Sequence, residues 1–193
     1  MYLKEEILNL LQIYNNVFPE EKEGVASFTA YLQRNEGNAL YTRKNFDGHI
    51  TTSAFVVDAA SAEILLLKHK SLNRWLQPGG HTEGDVSFMA SALREAMEET
   101  GMTESDLSPY YIEEGSDVPF DIDSHHIPAN LKKEEDAHYH HDLRYLFLYT
   151  GDRNHSYNEE EATGMQWVSF DSLKTDETFG AVIAKIEAHL ATR

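Results

Sequence analysis

Apolar residues recur at helical spacing from the start of the chain, where Leu3, Ile7, Leu10, Leu11 and Tyr14 share one side of residues 2–18. A charged stretch around Pro19 breaks that pattern, and a second helix carries Val25, Phe28 and Leu32 up to residue 34. From His49 onward the texture changes. Residues 50–58 and 63–69 are β-branched or aliphatic runs either side of a short turn, which predicts strand–turn–strand. WLQPGGH follows, punctuated by Pro78, Gly79 and Gly80. A helix is predicted from Ser87 to Thr100, ending where Gly101 takes the C′ position. Further strands are expected at Tyr110–Glu113, Phe120–Asp123, Ala137–Tyr149 and Met165–Phe170, and a last helix carries Phe179, Val182, Ile183, Ile186 and Leu190. Helices thus alternate with strands of a mixed sheet, and the expected fold class is α/β, a layered α/β/α sandwich in a single domain.

Composition narrows the possible partners. The 193 residues suit one domain, and 41% hydrophobic residues supply a core. Sixteen Lys+Arg against 33 Asp+Glu leave a net charge of -17, which repels nucleic-acid polymers and anionic lipid. A phosphorylated small molecule therefore needs local cations to bind here. With no cysteine, thiolate chemistry, Cys-ligated zinc and disulfides are excluded. Neither a secretory leader nor a membrane-length apolar run is found, so a cytoplasmic location is expected.

The chemical signal is densest in REAMEETG, residues 94–101. At about 100° per residue, Glu98 and Glu99 fall within about 60° of Glu95, and Met89, Leu93 and Ala96 face the other way. Like charges at this spacing repel by about 0.2–0.5 kcal/mol a pair. Two readings follow: a solvated acidic face, or a cluster that divalent ions make favourable. Hard oxygen ligands suit Mg²⁺. Arg94, one turn before Glu98, pairs with it, and the glycines of PGGH allow a ligand close to the backbone.

These residues carry a resemblance. GGHTEGDVSFMASALREAMEETGM, residues 79–102, resembles the Nudix box, G-x5-E-x7-R-E-U-x-E-E-x-G-U with U apolar. Gly80, Arg94, Glu95, Ala96, Glu98, Glu99, Gly101 and Met102 fall in register, and Val86 occupies the position of the first Glu. That Glu mainly supports the box Arg in the family, so Asp85 or Glu83 is the expected substitute partner for Arg94. The similarity extends through residues 48–175, leaving residues 1–36 as an N-terminal helical extension and 176–193 as a C-terminal helix. It implies a Nudix-type sandwich with two extra leading helices, and hydrolysis of a nucleoside diphosphate linked to another moiety or of a related nucleotide. It implies Mg²⁺ or Mn²⁺ held by Glu95, Glu98, Glu99 and the Gly79 carbonyl, with Arg94 orienting these ligands. A late-loop carboxylate, for which Glu161 is the candidate, completes the shell or acts as base.

Period-2 reading of AHYHHDLRYLF puts His138, His140, Asp142 and Arg144 on one strand face, and Tyr139, His141, Leu143, Tyr145 and Phe147 on the other. Such a polar row is either a solvated sheet face or the floor of a pocket. In the pocket reading Arg144 is the phosphate fork and Asp142 orients its neighbours. His138, His140, His81 and Gln77 are further substrate contacts. His-x-His on a strand also suits zinc, but no third ligand is evident in the sequence. His125 and His126 fit a loop cap, and His49 fits a surface or structural role. The alternative to an enzyme is a Nudix-fold nucleotide-binding or regulatory module without turnover, which Val86 alone favours. The leading helices admit a homodimer.

Overall fold

The computed structural model describes residues 2–130 and 134–192. Among them, strands β1 (His49–Asp58), β2 (Glu63–His69), β3 (Arg74–Leu76), β4 (Gly79–His81), β5 (Leu107–Pro109), β6 (Asp121–Ile127), β7 (His138–Tyr149) and β8 (Ala162–Ser169) build one mixed sheet. The order β3-β2-β1-β7-β5 forms its spine, with β4 on β1, β6 on β7 and β8 on β2. β1 and β7 run parallel, from His49 opposite His140 to Val57 opposite Leu148; the other pairs are antiparallel.

Alternation along β1 and β7 divides the side chains between two layers. Ile50, Ala54 and Val56 with Leu143, Tyr145 and Phe147 pack under α1 (Lys4–Val17), α2 (Ala26–Arg34) and α3 (Phe88–Thr100). Phe55, Val57 and Leu146 pack instead against Val182, Ile183 and Ile186 of α5 (Gly180–Leu190), beside α4 (Phe170–Leu173). This second face is apolar at one end only. At the other end the same rows continue as His49, Thr51 and Ser53 on β1 and His138, His140, Asp142 and Arg144 on β7, the alternation expected from period 2. An α/β sandwich results.

β1 meets β2 through Val57 and Asp58 but pairs with β4 through Thr51–Ser53. The sheet therefore forks, and the opening lies beside the polar half-face. Helix α3 runs alongside. Ser87 caps it by accepting from the Ala90 N–H at 3.1 Å, and Asp117 accepts from the Phe88 and Met89 N–H groups at 2.9 Å each. Gly101, at φ 66°, ends it in the left-handed conformation.

Three expectations shift. The strand expected at 110–113 is β5 at Leu107–Pro109; Tyr110 and Tyr111 pack on opposite apolar clusters beyond the ladder, so their alternation reflects packing. His125 and His126 lie on β6, opposite His140 and Tyr139, because that strand runs on past Asp123. The last strand begins earlier, at Ala162, and Phe170 opens α4.

Candidate active site

A cleft of about 510 Å³ occupies the fork, walled by β1, β2, β4, β6, β7, α3 and the loop before β8. Glu95, Glu98 and Glu99 of α3 all line it. Gly79 is needed where it stands, because a Cβ there would come within 2.7 Å of the Thr52 carbonyl oxygen and 2.8 Å of Ser53 Cα, while one at Gly80 would displace the Glu95 carboxylate, 2.6 Å away. The Gly79 N–H donates to Glu99 Oε2 at 2.9 Å. Burial pushes the Glu95 carboxyl up to about 7 despite the neighbouring Arg94 guanidinium. Glu99 is also pushed up, by burial and then by a hydrogen-bonded carboxyl neighbour, Glu161.

The loop before β8 brings Glu161 to that point. The Asn158 N–H donates to the Glu99 carbonyl at 2.9 Å, satisfying a carbonyl at the helix end, and the Glu161 N–H donates back to the Asn158 carbonyl at 3.1 Å. The loop thus seats on the C-terminus of α3.

Arg94 is gripped from several sides. Its Nε and Nη2 donate to the two carboxylate oxygens of Asp85 at 3.1 and 3.3 Å, Nη1 to Glu98 at 2.9 Å, and Nη2 to the His81 carbonyl at 2.9 Å. Nη1 also lies 3.0 Å from Glu95. Of the two expected partners, Asp85 is the one in place. Val86 is 91% exposed and reaches none of these groups.

The floor is a hydroxyl–carboxylate array. Thr51 Oγ1 and Ser53 Oγ donate to the two oxygens of Asp142 at 3.1 and 2.7 Å, and Gln77 Nε2 donates to Ser53 Oγ at 3.1 Å. Asp142, Gln77, His81 and His140 face the cleft. Arg144 does not line it. Its guanidinium is enclosed by Asp121 at 3.4 Å, Asp123 at 2.5 Å and Asp142 at 3.6 Å, so it is committed to internal carboxylates instead of an incoming phosphate. Burial would raise Asp123, but hydrogen-bonded His125 and the Arg144 charge hold it down to about 2. Among the described residues, the cation lining the cleft is Arg43, from the segment before β1. Nothing in its local sequence singles it out.

Histidines gather at the β4–β1–β7–β6 end. His49 Nε2 lies 2.9 Å from His81 Nε2, and His138 Nε2 lies 3.3 Å from His140 Nε2. The His49 ring centroid is 4.9 Å from that of His138 and 4.6 Å from that of His140. Burial and then neighbouring histidines hold His49 down to about 4 and His140 down to about 2, so both rings are neutral near pH 7. His138, although off the cleft wall, belongs to this group. Sequence reading gave His49 a surface or structural role; it is buried, not on the surface, and the parallel β1–β7 pairing brings it opposite His140.

Comparison with known proteins bears on the family and the fold. The family model of the NUDIX domain matches residues 47–189. Among solved structures, the chain resembles an Ap4A hydrolase binary complex from C. elegans at 19% identity and a TM-score of 0.55, covering 75% of this chain and 98% of that one. It also resembles a NUDIX-family hydrolase from Clostridium perfringens at 23% identity and 0.52, covering 75% and 97%. A third likeness, at 12% identity and 0.53 with 69% and 91% covered, is to the E. coli dihydroneopterin triphosphate pyrophosphohydrolase. At these identities the likeness is one of fold. No curated protein matches the chain.

Proposed function

The chain belongs to the NUDIX family and is on that ground a hydrolase of phosphoanhydrides; from this premise we propose a divalent-cation-dependent pyrophosphohydrolase that cleaves a nucleoside diphosphate linked to a second moiety, or a related nucleotide. One observation carries the reading: two buried carboxyls with raised proton affinity, Glu95 and Glu99, lie against a glycine strand beside Glu98 and Glu161. Buried like charges at this density are unfavourable without a cation, and the oxygen donor set fits Mg²⁺ or Mn²⁺. Glu95, Glu98 and Glu99 would hold it, with the Gly79 carbonyl as the backbone ligand. Such an ion would neutralise charge on the diphosphate and lower the pKa of an attacking water.

The remaining chemistry belongs to the chain. Glu161 lines the cleft beside Glu99, and in this reading its carboxylate accepts the proton of the attacking water. Arg94 holds Glu95 and Glu98 in register while Asp85 holds Arg94. Arg43 meets the anion at the cleft wall, and Leu67, Leu72, Leu76 and Ile127 offer an apolar wall to a base or other ring. Gln77, His81, His140 and Asp142 supply polar contacts to the substrate.

Turnover is favoured over a binding-only module because Asp85 fills the role that Val86 leaves open. Two of the solved neighbours are named for different substrates, Ap4A and dihydroneopterin triphosphate. Fold likeness therefore points to the reaction class and leaves the substrate to experiment. The test is a hydrolysis screen over nucleoside diphosphate conjugates and nucleoside triphosphates with Mg²⁺ or Mn²⁺, followed by product identification. Turnover should be abolished by Glu98→Gln or Glu99→Gln. Nucleotide binding with no turnover across the screen would leave the binding module as the better account.

A further inference from the structure

We propose that His49, His138 and His140 form a second cation site, distinct from the glutamate cluster, that takes a Zn²⁺-class ion on imidazole nitrogens with His81 beside its remaining coordination position.

The sheet itself builds the site. His49 and His140 are direct partners across the parallel β1–β7 pair, and His138 precedes His140 by two residues on the same face. One ring nitrogen from each of the three lies within 4.8 Å of the other two. An ion bound by tetrahedral nitrogens at about 2.05 Å separates them by about 3.3 Å. That is the distance between the Nε2 atoms of His138 and His140, 3.3 Å. His138 Nδ1 lies 2.7 Å from the Asp136 carbonyl, and a carbonyl only accepts, so Nδ1 carries the hydrogen. In the neutral ring Nε2 then presents its lone pair to the cluster, the arrangement found in metal-ligating histidines. His81 stands beside the three, its Nε2 2.9 Å from His49 Nε2 and its ring centroid 5.4 Å from that of His140.

The ligand chemistry selects the ion. The donors are imidazole nitrogens, whereas Mg²⁺ prefers oxygen; nitrogen donors in this number suit Zn²⁺ and its neighbours in the first transition row. His81 follows Gly80, the residue that Glu95 covers, so the two cation sites are neighbours that share no ligand, and His140 is the ligand of the second that also lines the cleft.

The experiment uses the full chain without a polyhistidine tag, stripped by chelator and dialysed against Zn²⁺ or Co²⁺ with excess Mg²⁺. One Zn²⁺ per chain should remain bound by elemental analysis, and Co²⁺ should give the visible bands of a four-coordinate nitrogen site. The ring ¹⁵N signals of His49, His138 and His140 should shift with the first equivalent of Zn²⁺, a readout that requires no variant. Zinc should be retained by Glu98→Gln and Glu99→Gln and lost on His138→Gln with His140→Gln. The assignment is overturned if the wild-type chain dialyses free of zinc. It is equally overturned if those ring signals stay fixed, respond to inorganic phosphate alone, or if the glutamate variants lose the ion and the histidine variants keep it.

Discussion

At residues 85 and 86 neighbouring side chains have divided a job that the family box gives to one. Val86 points to solvent, and the Asp85 carboxylate takes both donors of the Arg94 fork. Replacing Asp85 by Ala frees Arg94 to move off Glu95 and Glu98, and should lower Mg²⁺ affinity or activity about 10–100-fold. Val86→Glu should change stability by less than about 0.5 kcal/mol and leave activity as it is. Titrations of both variants with Mg²⁺ decide the matter; a rescue of Asp85→Ala by Val86→Glu would show that the two positions are interchangeable. Titration of the acidic cluster has its own signature. Glu95 and Glu99 have raised proton affinity in the folded chain, so their contribution to stability is full at low pH and is lost as pH rises toward and past about 7. His49, His140 and His141 are held down, and their opposing contribution is complete above the ordinary imidazole value of about 6.5. The melting temperature of chelator-treated protein should therefore fall from about pH 6.5 to about pH 8, with saturating Mg²⁺ removing the decline. Glu99→Gln should flatten it. A rising curve in that window would mean that the two carboxyls are not desolvated as described.

Elements whose register is local were legible in the sequence, and those that depend on distant pairing were not. The wheel of α3, its span and the Gly101 terminus are all encoded within residues 87–101, and the structure repeats them, with Ser87 as the cap. The two faces of β7 were legible for the same reason, since alternation needs no partner. What a polar residue on that face does is a different matter, because its neighbours come from other strands. Asp121 and Asp123 reach Arg144 only through the antiparallel β6–β7 register, which sets Asp121 opposite Arg144 and Asp123 opposite Asp142. Period-2 reading identified the face of this guanidinium but could not see the β6 carboxylates that hold it. The forked pairing of β1 with β2 and β4, and the placing of His49 opposite His140, were hidden likewise. Two variants separate the cation in the carboxylate ring from the cation on the cleft wall. Arg144→Ala removes the buried guanidinium that Asp121, Asp123 and Asp142 share and should cost about 3–5 kcal/mol in urea unfolding. Arg43→Ala should alter stability by less than about 0.5 kcal/mol yet raise KM for an anionic substrate. The reverse pattern would return Arg144 to the role of phosphate fork.

Over the whole molecule, the leading helices and the catalytic layer form one apolar body. Ile7, Leu11, Tyr14, Phe28, Tyr31 and Leu32 are buried in the same cluster as Ile50, Val56, Leu143 and Phe147. Lys185 of α5 adds a tie from the opposite layer, with its ammonium 2.7 Å from Glu21 and 3.6 Å from the Phe18 ring centroid. Tyr31 is the clearest joint. Its ring lies 4.5 Å from the His141 ring on β7, and its hydroxyl lies 2.9 and 3.0 Å from the Ala39 and Gly48 carbonyls, immediately before His49. Removing a buried aromatic side chain costs about 3–5 kcal/mol, and small domains have only about 5–15 in total. Tyr31→Ala should therefore lower the urea midpoint steeply and keep a single transition, with fluorescence and circular dichroism coinciding. Were residues 1–36 an independent appendage, the same variant would produce an early, partial transition by one probe while the sheet unfolded at its original midpoint. A single displaced transition instead places the start of β1, and with it His49, under the control of helices that contribute no side chain to the cleft.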